Sequence, residues 1–164
     1  MTNTHDMILR YKAFSSWVAA LNEIDQSLWT QPVEQGKWSV SQIISHLMNW
    51  DRYLLEAVVP TIRDGGTAIH FPEFDPYNQQ AANYAKSGIS QAALIEETIR
   101  MREQLVDQLL ALSPEQYNRP ITTNGVAISP HTGQPYTLAY LVEEFVMHDQ
   151  QHQAQIEQFL QKSA

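Results

Sequence analysis

The feature that most constrains this chain is a pair of histidines placed where an apolar stripe should run. Leu138, Leu141, Phe145, His148, His152, Gln155 and Phe159 recur at alternating steps of three and four residues. That spacing is the inward seam of a long helix packed into a bundle. Two imidazoles therefore stand where leucines are expected. A buried neutral imidazole needs both nitrogens partnered, because a polar group left unmatched costs about 1–3 kcal/mol. At positions i and i+4 the two rings leave the same helix face, close enough to share one ion. The expectation is a helical scaffold with a metal on its last helix.

The rest of the chain supplies the partners of that helix. Phe14, Val18, Leu21, Ile24 and Leu28 predict a first helix over residues 5–29, followed by a loop holding Pro32 and Gly36. Ser39-Val-Ser-Gln42 reads as a capping box opening a second helix, with Ile43, Leu47, Trp50, Leu54 and Val58 inward and an end near Gly65-Gly66. Residues 65–77 read as a long connection, with a short helical turn through Asn83-Tyr84. Ser90 caps a third helix with Leu94, Thr98, Met101, Leu105, Leu109 and Leu112 inward, ending at Ser113-Pro114. Ile121-Thr-Thr and Val126-Ala-Ile form a candidate small hairpin, and Thr137 caps the final helix. The expected class is all-α, a four-helix bundle whose long connection between helices 2 and 3 supports a crossover. Residues 1–164 are read as one domain.

Composition removes several classes of function. There is no cysteine, hence no disulfide framework, thiolate ligand or cysteine nucleophile. Any metal must be held by His, Asp, Glu, backbone or water. The formal net charge is −8 with no lysine or arginine cluster, which disfavours nucleic acid and an anionic membrane surface. No run reaches the roughly 18 apolar residues needed to span a bilayer. Met1-Thr-Asn-Thr-His-Asp6 lacks the basic and apolar regions of a secretion signal, so a cytoplasmic location is expected.

His46 falls between Ile43 and Trp50 at offsets of three and four, flanking the inward stripe of the second helix. With His148 and His152 it makes three imidazoles from two helices, and three protein ligands with an open position describe a reactive site rather than a closed structural one. Zinc, nickel and ferrous iron all accept imidazole. The alternative for each histidine is a core residue bonded to a hydroxyl or carbonyl. Glu144, one turn before His148, is a candidate to orient an imidazole or accept a proton, or else a surface residue at the edge of the stripe. Asn49 and Tyr53 are candidate cavity-lining residues, and Gln155 another; packing is the alternative for all three. His148-Asp-Gln-Gln-His152 approaches the His-Glu-x-x-His of zinc peptidases, but the shorter Asp149 argues against that use and reads as solvated, one step off the seam. Of the loop histidines His70 and His131, the latter is expected nearer the site.

Trp38-Ser-Val-Ser-Gln-Ile-Ile-Ser-His46-Leu47 resembles the Trp…His-Leu segment on the second helix of the DinB/YfiT-like superfamily. Phe145-Val-Met-His148-Asp-Gln-Gln-His152-Gln-Ala-Gln155-Ile156 resembles its C-terminal His-Asp-x-x-His-x-x-Gln-Ile segment. The resemblance implies an up-down-down-up bundle, a divalent metal (Zn, Ni or Fe) held by the matches at His46, His148 and His152, and a homodimer. It implies a small-molecule substrate, with thiol S-transfer using a bacillithiol- or glutathione-type low-molecular-weight thiol placed first. A metal-dependent hydrolase and a non-catalytic metal- or ligand-binding stress module are the alternatives. Two departures concern the cavity: Gln151 precedes His152 where the family often has Tyr, and Gln153 follows it where the family often has Gly.

Overall fold

The computed structural model describes residues 4–164; the first three residues of the hexapeptide read for a secretion signal lie outside it. Four long helical elements carry the chain: α1 (Thr4–Ala20), α3 (Val40–Tyr53), α6 (Gln91–Leu110) and α8 (Leu138–Lys162), with a short α2 (Gln26–Trp29) after α1. The expected first helix over 5–29 is broken. After Ala20 comes a 3-10 turn, Leu21–Glu23, and then extended Ile24. The side chain of Gln91 donates to the carbonyls of Leu21 and Ile24, occupying acceptors that a continuous helix would use internally.

The capping box at Ser39 forms as read: Gln42 N–H donates to Ser39 Oγ, and Ser39 N–H donates to Gln42 Oε1. The helix it opens passes through a π turn, Leu54–Val58, into α4 (Val59–Arg63). Pro60 has no N–H to continue the ladder, and the wider register absorbs it, Val59 N–H reaching back five residues to Leu54 O. Thr61 Oγ1 donates to the carbonyl of Ala57.

Hydrogen bonds between elements give the directions of the helices. Tyr11 and Leu21 of the α1 region meet Arg102 and Gln91 of α6, so those two are antiparallel. Asp51 and Arg63 meet Arg102 and Gln108, making the second helix and α6 parallel. His46 faces His148 and His152 while Trp50 faces Phe145, so α3 and α8 are antiparallel. The order is up-down-down-up, the topology implied by the resemblance.

The crossover that this topology requires holds more structure than expected. In place of a short turn, α5 (Phe74–Ala85) runs for 12 residues and packs on α3, where Ser45 Oγ donates to Ala81 O. Before it, β1 (Ala68–Ile69) pairs in parallel with β2 (Thr122–Thr123), which follows the short helix α7 (Pro114–Asn118). The candidate hairpin closes as a two-residue turn. Thr123 and Val126 bridge across Asn124 (φ 49°) and Gly125 (φ 81°), both left-handed as a type I′ turn requires. Asn124 also accepts from Phe71 N–H, tying this loop to the crossover.

The core consists of two apolar clusters stacked along the bundle, one around Ile8, Leu54, Leu105 and Val142, the other around Val18, Ile44, Leu94 and Ile156. A polar layer separates them. Arg102, fully buried, bonds bidentately to Asp51 through Nε and Nη2 at 2.7 and 3.0 Å, donates to Tyr11 O, and lies 2.9 Å from Asp149 Oδ2. Tyr11 Oη donates to Asp51, and its ring lies under the guanidinium, 3.8 Å from centroid to Cζ. Each of the four long helices contributes one group.

Three sequence expectations are corrected here. Asp149 is 6% exposed and ion-paired, not solvated. The inward line of α8 runs through Val142, Val146, Asp149 and Ile156, while Phe145, His148, His152 and Gln155 are half-buried on the adjacent stripe. The guanidinium draws Asp149 inward, and that rotation turns the imidazoles toward α3. On α6 the same layer buries Arg102, whereas Met101, expected inward, is half-buried.

Candidate metal centre

Three imidazoles meet between α3 and α8. The Nε2 of His46 lies 3.3 Å from that of His148, which lies 3.2 Å from the Nε2 of His152. Ligand atoms of all three fall within 4.8 Å of one another. Nitrogens bound to one tetrahedral ion at about 2.0–2.1 Å stand roughly 3.3–3.4 Å apart, so the observed separations suit a shared ion.

The protonation pattern supports the same use. Asn78 Oδ1 accepts from Trp50 Nε1, an atom that can only donate, and this fixes the oxygen of that amide. The same oxygen faces His46 Nδ1 at 3.0 Å, so Nδ1 carries the proton and Nε2 presents a lone pair. Gln155 Oε1 does likewise for His152 Nδ1 at 3.1 Å. Lone pairs directed at a common point repel unless a cation or proton lies between them. His148 Nδ1 is buried without a hydrogen-bond partner among the described residues, so amide oxygens orient two of the three rings.

Burial, reinforced by the neighbouring imidazoles of His148 and His152, pushes His46 down to about 3. Burial and His152 push His148 down to about 4, and burial lowers His152 against the hydrogen bond that its Nδ1 donates to Gln155. All three are neutral at neutral pH, the state a ligand requires. Trp38 packs on His46 with ring centroids 5.0 Å apart and helps to hold its orientation.

A cavity of about 590 Å³ opens above the imidazoles, with His46 and His148 in its floor. The 123–131 loop forms its roof, and Glu144 and His131 line its sides. Asn49 and Tyr53 stand behind this wall. Asn49 accepts from Arg52 through its side chain and from Tyr77 through its carbonyl, and Tyr53 Oη donates to the carbonyl of His70. Asn78 was missed in sequence. Its only signal was its place in a crossover read as irregular, and no periodicity connects that segment to His46, 32 residues earlier.

A family model described as the DinB superfamily matches residues 11–156. The chain belongs to the DinB superfamily. Among solved structures it is similar to one described as "YfiT from Bacillus subtilis is a probable metal-dependent hydrolase with an unusual four-helix bundle topology". The TM-score is 0.77 at 16% identity, covering 98% of this chain and 87% of that one, a likeness of fold. No curated protein is similar enough to the chain to register as a relative. Among the described residues, no helix is long and apolar enough to cross a membrane.

Proposed function

We propose that this DinB-superfamily chain is a metal-dependent enzyme acting on a small molecule, with His46, His148 and His152 holding one divalent ion. The observation that carries the reading is the convergence of three neutral imidazole Nε2 atoms, two of whose rings, His46 and His148, form the floor of an open cavity. A divalent ion held by these three imidazoles would supply Lewis-acid chemistry, lowering the pKa of a bound water and polarising a carbonyl oxygen. Asn78 and Gln155 hold two of the rings in the tautomer that faces the ion. Glu144, at the cavity side, takes the proton of the attacking water and returns it to the leaving group, while the water oxygen bonds to the carbonyl carbon and the bond to the leaving group breaks. Hydrolysis is placed first because the Bacillus subtilis protein of like fold is described as a probable metal-dependent hydrolase. Thiol S-transfer, which the sequence resemblance puts first, would use the same centre, with Glu144 receiving the thiol proton. The homodimer belongs to this reading too, and light scattering at two concentrations measures it directly.

Elemental analysis of protein purified without chelators tests the centre, with about one divalent ion per chain expected. His148→Ala removes that ion while leaving the far-ultraviolet helical signal intact. A His148→Ala protein with full metal occupancy refutes the assignment. Assays of the loaded protein with neutral esters and amides, and with bacillithiol or glutathione plus a chloronitrobenzene, separate the two chemistries.

A further inference from the structure

The cavity above the imidazoles has a chemical character of its own. Its walls are built from aromatic rings: Trp50, Phe71, Phe74, Phe145, Tyr136 and Tyr140. These rings brace one another, Trp50 lying 6.1 Å from Phe71, 5.7 Å from Phe74 and 6.0 Å from Phe145 between centroids. At the mouth Phe74 is 60% and Val126 46% exposed, large apolar groups left in water at the rim of an opening. Among the described residues no lysine or arginine lines the space; apart from imidazoles and tyrosines, the one ionisable side chain among them is Glu144. The formal charge of −8 on the chain adds to the field of that carboxylate. An anion carried away from the floor would meet a carboxylate, lose its hydration and gain no counter-ion.

We infer that the cavity selects an uncharged, largely aromatic or aliphatic small molecule and rejects anionic ones, the anionic low-molecular-weight thiols included. The inference rests on the reading of this cavity as the substrate site of the metal centre. Its volume of about 590 Å³ lies within the range of roughly 300–1,000 Å³ that takes in a drug-sized molecule. The rings supply the burial, Asn124 and the tyrosine hydroxyls supply the few polar contacts, and the reactive end is left to the imidazole floor. Selection by exclusion of charge needs no specific hydrogen bond, so the class accepted is broad in shape and narrow in charge.

A matched pair of fluorescent probes tests this without turnover: N-phenyl-1-naphthylamine and its sulfonated analogue 1-anilinonaphthalene-8-sulfonate, which share one aromatic frame. They are titrated against EDTA-treated protein, with metal content measured separately. The neutral probe is expected to bind at least about tenfold more tightly, a like-charge and desolvation penalty of ordinary size. Phe74→Asp, at an exposed position that leaves folding untouched, weakens the neutral probe about tenfold through lost apolar contact and added charge. Val126→Arg adds a cation at the rim and brings the sulfonate to within about threefold of the neutral probe, which separates charge exclusion from a steric clash. Equal or tighter binding of the sulfonate by the unaltered protein overturns the inference, as does neutral-probe binding indifferent to Phe74→Asp. Charge preference retained by a protein that takes up no metal refutes the proposed enzyme and leaves the inference standing.

Discussion

At the scale of single residues, the centre depends on which ring nitrogen carries a proton. Asn78 settles this for His46, because Trp50 fixes the orientation of the amide from its other side. Asn78→Ala frees the His46 ring to take the other tautomer and is expected to weaken metal affinity about 10- to 100-fold, as loss of a ligand-orienting partner usually does. Competitive chelator titration measures it; unchanged affinity would sever Asn78 from the site. The imidazoles also imply a pH dependence of the metal-free protein. Free histidine titrates near 6.5, whereas His46 and His148 are held down to about 3 and about 4. Between those values the unfolded chain binds more protons, so stability rises with pH and is lost as pH falls from about 6.5 towards 4. The melting temperature of EDTA-treated protein is expected to drop between pH 7 and pH 5, and by less in His148→Asn. Equal drops in both proteins would place the acid sensitivity elsewhere.

At the scale of elements, the last helix shows how local pattern and tertiary packing divide the work. Its start at Thr137, whose side chain accepts from Tyr140 N–H, and its amphipathic character follow from short-range spacing. Its rotation does not. The seam through Phe145, His148 and His152 lies one residue away from the line that is fully buried, since Asp149 turns inward to meet Arg102. No window of α8 contains that arginine. The roof of the cavity is the opposite case, because Asn124-Gly125 is a local turn signal and the turn forms. Gly125→Ala forces a Cβ into φ 81° and is expected to cost about 1–2 kcal/mol. Urea unfolding reads that loss, and neutral-probe affinity should fall with it as the roof loosens.

At the scale of the whole molecule, the two apolar clusters are joined by a layer in which one guanidinium serves all four long helices. Burial works against the charged form of Arg102, but Asp149 and Asp51 more than offset it and hold its pKa above the ordinary value. Burial likewise drives the Asp149 carboxyl above the usual carboxylate range, against the pull of Arg102. This layer ties α3 to α8 next to the imidazoles: Asp51 lies five residues beyond His46, and Asp149 directly follows His148. Arg102→Met leaves two buried carboxylates without their counter-ion and is expected to cost about 3–5 kcal/mol, measured by chemical denaturation. A loss below about 1 kcal/mol would mean that the layer is not a junction of the bundle.

The amino-acid sequence by itself determined the four amphipathic helices, the caps at Ser39, Ser90 and Thr137, and the candidacy of His46, His148 and His152. These rest on spacing within one helix or on short side-chain-to-backbone bonds, and both are local. Tertiary structure alone decided which stripe of α8 faces inward, that Arg102 is buried, and that the crossover supplies Asn78. It also put an aromatic, cation-free cavity above the imidazoles. Each of these depends on groups brought together from distant segments, and a buried charge declares itself only when its counter-charges arrive from other helices.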